Sequence, residues 1–302
     1  MKRLHTALLL TLLVALPSSA GAAAAITPNE VYGETHRVLG EVTELRRHFG
    51  VQSPGEVRRI RLAFEPRHVW QKTYEILIKI NILRAKLGFP VIAVNALEPV
   101  MDIEPVLVFE QVRRIRLELS LLKARLDIAG ETAPAEAFTG KKPADVYHLL
   151  STVSLHLDAL NGTGFTPSHV YAQVMRIYAD VTTLLDALEI KDATAPPAKR
   201  QTAVPADVFA LGMELLKEIG HIQRASGIHR LDFSDLWGDR ITPTEVFAAM
   251  ELILAELQTL KAGLGLRHAM TPPAAHYEGK NPADVHQVLG WTLRKLKLVR
   301  SM

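Results

Sequence analysis

Apolar residues recur along this chain at alternating intervals of three and four, the spacing that lines one face of an α-helix. The first such stretch carries Val31, Val38, Val42, Leu45 and Phe49. A later one carries Val170, Val174, Ile177, Val181, Leu184 and Leu188, and another Val246, Met250, Ile253, Leu257, Leu260 and Leu264. Each stripe is heptad-like and at least three turns long, which suits parallel or antiparallel bundle packing. No stretch shows the turn-bounded alternation of a sheet strand. The pattern predicts an all-α protein of eight amphipathic helices of about 20–24 residues, each roughly 30–35 Å long.

The helix starts share a signature, Pro-x-x-Val followed by an aromatic residue. It occurs as "TPNEVY" at Pro28, "EPRHVW" at Pro66, "EPVLVF" at Pro105 and "KPADVY" at Pro143. It recurs as "TPSHVY" at Pro167, "VPADVF" at Pro205, "TPTEVF" at Pro243 and "NPADVH" at Pro282, the last with His286 in the aromatic place. The prolines step by about 38 residues except for one central step of about 24, and matching copies lie about 139 apart, as duplication of a four-unit ancestor would leave them. Proline suits the first helical position, where its missing N–H costs nothing. Thr27 with Glu30, and Thr242 with Glu245, have capping-box spacing, while Asp145, Asp207 and Asp284 complement the positive end of the helix dipole.

The connections constrain the topology. Most are about 14–16 residues, enough to return along a whole helix, so parallel neighbours joined by crossovers are as open as up-and-down order. The central link "NGTGF" (Asn161–Phe165) is too short for that. It makes helices four and five antiparallel neighbours, or sets them end to end. Two loops align, "TAPAEAF" (Thr132–Phe138) and "TPPAAHY" (Thr271–Tyr277), each with a proline at the same offset before the next helix, as Pro196 also has. A short helical turn there, docking Phe138 or Tyr277 on the bundle end, is expected. The chain divides into a leader (1–24), a first four-helix half (25–163) and a second (164–302), forming either two four-helix bundles or one merged body.

The leader reads as a secretory signal peptide: basic Lys2 and Arg3, an apolar run from Ala7 to Leu16, Pro17, then small residues with cleavage after Ala22 or Ala24. That points to the periplasm of a Gram-negative bacterium, or to secretion. The run is too short for a comfortable membrane span. There are no cysteines, which excludes disulfides, thiolate metal sites, lipid anchoring through cysteine and covalent haem attachment. The formal charge is +3 and the pI about 9.0, but two of the 35 basic residues leave with the leader, against 32 acidic ones. A near-neutral mature chain lacks the concentrated positive surface that nucleic acid requires. The basic runs "VRRIRL" (Val57–Leu62 and Val112–Leu117) and "RKLKLVR" (Arg294–Arg300) read as solvated helix faces.

Candidate chemistry is sparse. The aromatic row Tyr32, Trp70, Phe109, Tyr147, Tyr171, Phe209 and Phe247 holds one place in seven first turns. In parallel helices these rings would gather at one end, forming a pocket for an aromatic or anionic ligand, or each ring would plug its own bundle. Glu218 and His221 have the spacing of a di-iron bundle ligand pair, but a second copy is missing. Glu41, Glu44 and His48 share one helix face, as weak metal ligands or as an ion-pairing face. Asp232, Asp235 and Asp239 in "DFSDLWGD" lack the order of a calcium loop. No nucleophile elbow, phosphate-binding loop or zinc-protease motif occurs. These features lead to an exported, non-catalytic scaffold or partner-binding module without a cofactor, whose partner is a protein or the cell envelope. A small-molecule or metal-binding sensor bundle is the first alternative, and a self-assembling homo-oligomer the second.

Overall fold

A computed structural model describes residues 25–57, 62–94, 100–129, 136–229, 231–233 and 241–300. The leader therefore lies outside the described residues, as does most of the first "VRRIRL" run. The described residues form eight α-helices and no β-sheet: α1 (Pro28–His48), α2 (Pro66–Lys86), α3 (Pro105–Arg125), α4 (Pro143–Asn161), α5 (Pro167–Ala187), α6 (Pro205–Ala225), α7 (Pro243–Gly263) and α8 (Pro282–Arg300). Every helix opens on its expected proline.

Seven of the eight N-termini are capped by their own third residue; α3, with Leu107 there, is not. The side chains of Glu30, Asp145, Asp207, Glu245 and Asp284 each accept the N–H of the residue preceding the proline, at 2.7–3.1 Å. In α2 and α5 histidine does the same work, His68 Nδ1 accepting from Glu65 at 3.0 Å and His169 Nδ1 from Thr166 at 3.1 Å. Each cap satisfies an N–H that the helix itself leaves without a partner.

The helices run 19 to 21 residues, shorter than the stripes suggest, because Phe49, Leu188 and Leu264 are C-caps rather than helical residues. Beyond each of these caps the chain turns left-handed. Gly50, Gly88, Asp127, Glu189, Gly227 and Gly265 all have positive φ, and the next N–H reaches back to the last turn, as in Val51 to Arg46 at 2.9 Å and Ile228 to Gln223 at 2.8 Å. The donors, Val51, Phe89, Ile128, Ile190, Ile228 and Leu266, are apolar and pack on the core. This is the Schellman stop with its hydrophobic contact.

Within each half all four helices run parallel. The opening prolines and valines of α1–α4 (Pro28, Val31, Pro66, Val69, Pro105, Val108, Pro143 and Val146) close around one small apolar dimple, and those of α5–α8 close around another. Consecutive helices therefore point the same way, and each long connection travels back along the bundle. α1 packs on α3 and α4, and α2 packs on the same two; α5 packs on α7 and α8, and so does α6. The stripes fill both interiors, with Val42, Ile80, Leu119 and Leu157 making one completely buried layer and Val181, Ile219, Leu257 and Leu296 its counterpart.

Two expectations need correction. The return loops hold no helical turn among their described residues: 136–139 and 272–278 are irregular. A single parallel helix must be spanned from end to end, and only an extended chain of that length covers the distance. Docking of the aromatic does occur, Phe138 meeting Tyr32 and Tyr277 meeting Tyr171 edge-on, both at 4.9 Å. The short link reverses the chain, so α4 and α5 are antiparallel, yet they do not pack on each other. The two halves meet through α2 and α7. At the link, Phe165 N–H donates to Thr244 Oγ1 at 3.2 Å, and a Cβ on Gly164 would sit 2.3 Å from that oxygen, so only glycine fits.

Candidate functional site: a charged seam between two bundles

α2 and α7 are buried nearly all round, as central helices are. Each has one face in its own bundle and another in the seam. α2 brings His68, Gln71, Lys72, Glu75 and Lys79 to the seam region, and α7 brings Glu251, Glu256 and Gln258, all buried. The contacts run antiparallel: His68 at the start of α2 reaches Glu256 late in α7, and Glu75 meets Glu251 near both midpoints.

The ion pairing is dense. Lys72 Nζ donates to Glu75 at 2.5 Å. Lys79 Nζ donates to Ser154 Oγ and to Asp158 on α4, both at 2.7 Å, and lies 3.4 Å from Glu75. Ser154 in turn donates to Glu75. Burial alone would raise the Glu75 carboxyl, but Lys72 and Lys79 outweigh it and hold the group down at about 2. Glu251 goes the other way: burial first, then the Glu75 carboxylate beside it, push its carboxyl well above the ordinary range. Of the two, Glu251 is therefore the carboxyl that holds its proton more readily, and Glu75 the one that gives it up. Glu256 accepts from Arg67 at 3.1 Å, His68 at 2.8 Å and Gln223 at 2.8 Å. Burial opposes these contacts, yet together they hold its carboxyl at about 2.

Besides a cleft of about 300 Å³ bounded by Leu216, Lys217, Gln223, Phe233 and Glu256, two others flank the seam. The larger, about 520 Å³, lies between α2 and α5 and is lined by Tyr74, Ile78, Ile82, His169, Arg176 and Phe247 among others. Its polar groups are engaged: Arg176 donates to the Pro272 carbonyl at 2.9 Å and to Gln173 at 2.8 Å, and Asn81 pairs with the backbone of Ile92. The smaller, about 250 Å³, is lined by Glu65, Arg67, Trp70, Gln71, Asp102 and Gln258. Trp70 is buried there, and its indole Nε1 has no hydrogen-bond partner.

The aromatic row does share one end of each bundle, as parallel helices require, but the rings disperse into separate contacts. Tyr32 and Tyr171 hold Phe138 and Tyr277, with Lys141 and Lys280 over their faces at 4.2 and 4.7 Å. Tyr147 stacks on Phe64 at 3.9 Å and Phe247 on Phe165 at 3.8 Å. Phe109 lies 5.9 Å from the Arg113 guanidinium, Phe209 is buried, and Trp70 meets Tyr74 at 5.6 Å. Trp70 lines the smaller cleft and Phe247 the larger, so the row does not converge on one. Glu41 and Glu44 both hold the Lys123 ammonium, Glu41 at 2.7 Å, while the His48 ring edges Phe49 at 5.1 Å. Glu218 is buried on α6 and His221 half-buried. Among the described residues no three histidines or carboxylates group as a metal site. Asp235 and Asp239 lie outside the described residues.

Sequence reasoning passed over the seam itself. Lys72, Glu75 and Lys79 stand three and four residues apart on α2, the pattern of a solvated ion-pairing face. No helix among the described residues is long and apolar enough to cross a membrane. Comparison with protein-family models, with curated proteins and with solved structures finds no match.

Proposed function

We propose that this protein is an exported, non-catalytic scaffold: two four-helix bundles, descended from one duplicated ancestor, held rigidly together in the periplasm to present their outer faces to a protein or cell-envelope partner. The observation that carries this reading is that the most acid–base-active groups, Glu75, Glu251 and Glu256, are sealed between the bundles and committed to each other or to Lys72, Lys79, His68 and Arg67. A general acid or base has to reach substrate; Glu75 and Glu251 reach only their partners, and Glu256, at the edge of the cleft beside α6, is taken up by Arg67, His68 and Gln223. Export is supported by the leader. Fractionating a Gram-negative host that expresses the full chain, with sequencing of the recovered N-terminus, tests it: a periplasmic protein starting after Ala22 or Ala24 is expected. Cytoplasmic protein retaining Met1 overturns export, and substrate turnover that Glu75→Gln removes overturns the non-catalytic reading.

A second reading, a small-molecule sensor, is favoured by the unpartnered Trp70 Nε1 at the 250 Å³ cleft. It requires a ligand that raises the melting temperature in proportion to its occupancy and loses that effect in Trp70→Phe, which keeps the ring and removes the donor. An equal shift in wild type and Trp70→Phe rejects this cleft.

A further inference from the structure

We propose that the chain associates head to tail with further copies of itself, the outer face of α3 in one copy lying antiparallel on the outer face of α6 in the next. This deepens the scaffold reading and rests on it. Counted from the opening proline, α3 holds the place in its bundle that α7 holds in the other, and α6 holds the place of α2. The α2–α7 seam is therefore one docking of two surface types, and each type occurs once more, on α3 and on α6, with no helix of the other bundle packed on it among the described residues.

On α3 the uncovered face is apolar where an isolated solvated helix would be polar: Leu117 is 58 % exposed and Leu121 48 %. Laying α3 on α6 in the register of the seam makes the charges meet with opposite sign. Glu75 and Glu251, which face each other in the seam, are replaced by Glu214 and Arg113, both exposed. One turn along, Lys217 comes level with Glu110. In the other direction Gln71, Ala255, Arg67 and Thr259 line the smaller cleft; carried through the same register, Ala210 comes level with Leu117, and Ala206 with Leu121. In a lone copy Arg113 pairs with Glu110 at 3.3 Å, an exposed pair, and lies over the Phe109 ring at 5.9 Å, so exchanging the ion pair costs little. The position of the His68–Glu256 pair becomes Asp207 opposite Glu118, two acids, each held by an arginine of its own copy: Arg200 at 3.1 Å and Arg84 at 3.2 Å. Because the two faces differ, every added copy leaves one of each kind exposed, and the contact is heterologous.

Sedimentation equilibrium of the mature chain, from low micromolar to millimolar concentration, tests this. A mass that rises with concentration is expected, weakened about tenfold or more by Arg113→Glu or by Glu214→Arg alone and restored in the double variant. Both positions are exposed, so a lost association cannot be lost folding, and circular dichroism of each variant verifies that. A monomer at every concentration, or association indifferent to both reversals, overturns the proposal. A monomer that still reaches the periplasm and turns nothing over overturns the assembly alone and leaves the scaffold reading standing.

Discussion

α2 and α6 occupy the same place in their bundles and bury the same kind of stripe, yet their outer faces have opposite fates. On α2 that face carries Lys72 and Glu75, buried against α7; on α6 the same places are Leu211, half-exposed, and Glu214, exposed. Elsewhere the bundles agree closely. Lys123 holds Glu41 at 2.7 Å between α3 and α1, and Lys261 holds Asp180 at 2.9 Å between α7 and α5. Lys141 N–H donates to Asn29 at 2.8 Å, and Lys280 N–H to Ser168 at 3.1 Å. These positions, which close each bundle on itself, thus carry the same chemistry in both, whereas the outward-facing ones differ with what covers them. Burying a charge is tolerable only with a partner, so the covered face carries ion pairs, Lys72 with Glu75 and His68 with Glu256, that the exposed one does not need.

The sharpest way to break this comparison is to delete one carboxylate at equivalent places. Glu75→Ala leaves Lys72 and Lys79 buried without their shared partner and should cost about 3–5 kcal/mol. Glu214→Ala, at the exposed equivalent, should stay within about 0.5 kcal/mol in the monomer. Urea melts of both variants measure the difference; similar losses would mean that the seam opens to water. Next come Leu157→Ala and Leu296→Ala, at one layer of the two interiors and both fully buried. Each should cost about 2–5 kcal/mol. If the seam couples the bundles, both variants melt in one transition. A second, unshifted transition would show the bundles unfolding separately. Smaller still, Thr27→Ala and Thr242→Ala remove matching caps that accept from Asn29 and Thr244, both at 3.2 Å. Losses near 1 kcal/mol, equal in the two, are expected.

Much of this fold was legible in the chain, and the reasons are local. A proline before an apolar stripe marks a helix start whatever surrounds it, and all eight starts stand where the prolines put them. The stops were equally local, as Gly50-Val51, Gly88-Phe89 and Gly265-Leu266 recur behind the stripes, but Asp127 and Glu189 fill the same left-handed position and hide the pattern. Helix direction was not legible, because an amphipathic stripe serves parallel and antiparallel neighbours alike; only the extended return loops decide it. The seam escaped for a different reason. Lys72 and Glu75 have the spacing of an ordinary exposed ion pair, and nothing within α2 says that α7 will remove both from water. The aromatic row drew attention because its members share one register, yet the same register sends each ring to a different local neighbour.

The finest test of the seam is Glu251→Gln, for which the smallest effect is expected. If burial and the adjacent Glu75 carboxylate keep Glu251 protonated, an amide of the same shape supplies the same donor, and stability near neutral pH should change by only a few tenths of a kcal/mol, about the size expected of a neutral exchange. The pH profile then separates the two carboxyls. Glu251 titrates above its unfolded value of 4.5, so its contribution is complete below 4.5 and is lost as the pH rises through its native value. Wild type should weaken on the alkaline side by an amount that the glutamine variant escapes. Glu75 and Glu256, both held at about 2, behave oppositely: their contribution is present above 4.5 and disappears as the pH falls towards 2, in wild type and variant alike. Urea melts of the pair across the pH range would therefore converge in acid and diverge in base. Should Glu251→Gln instead cost as much as Glu75→Ala at neutral pH, Glu251 carries a negative charge in the native seam, and the two carboxyls are equals rather than donor and acceptor.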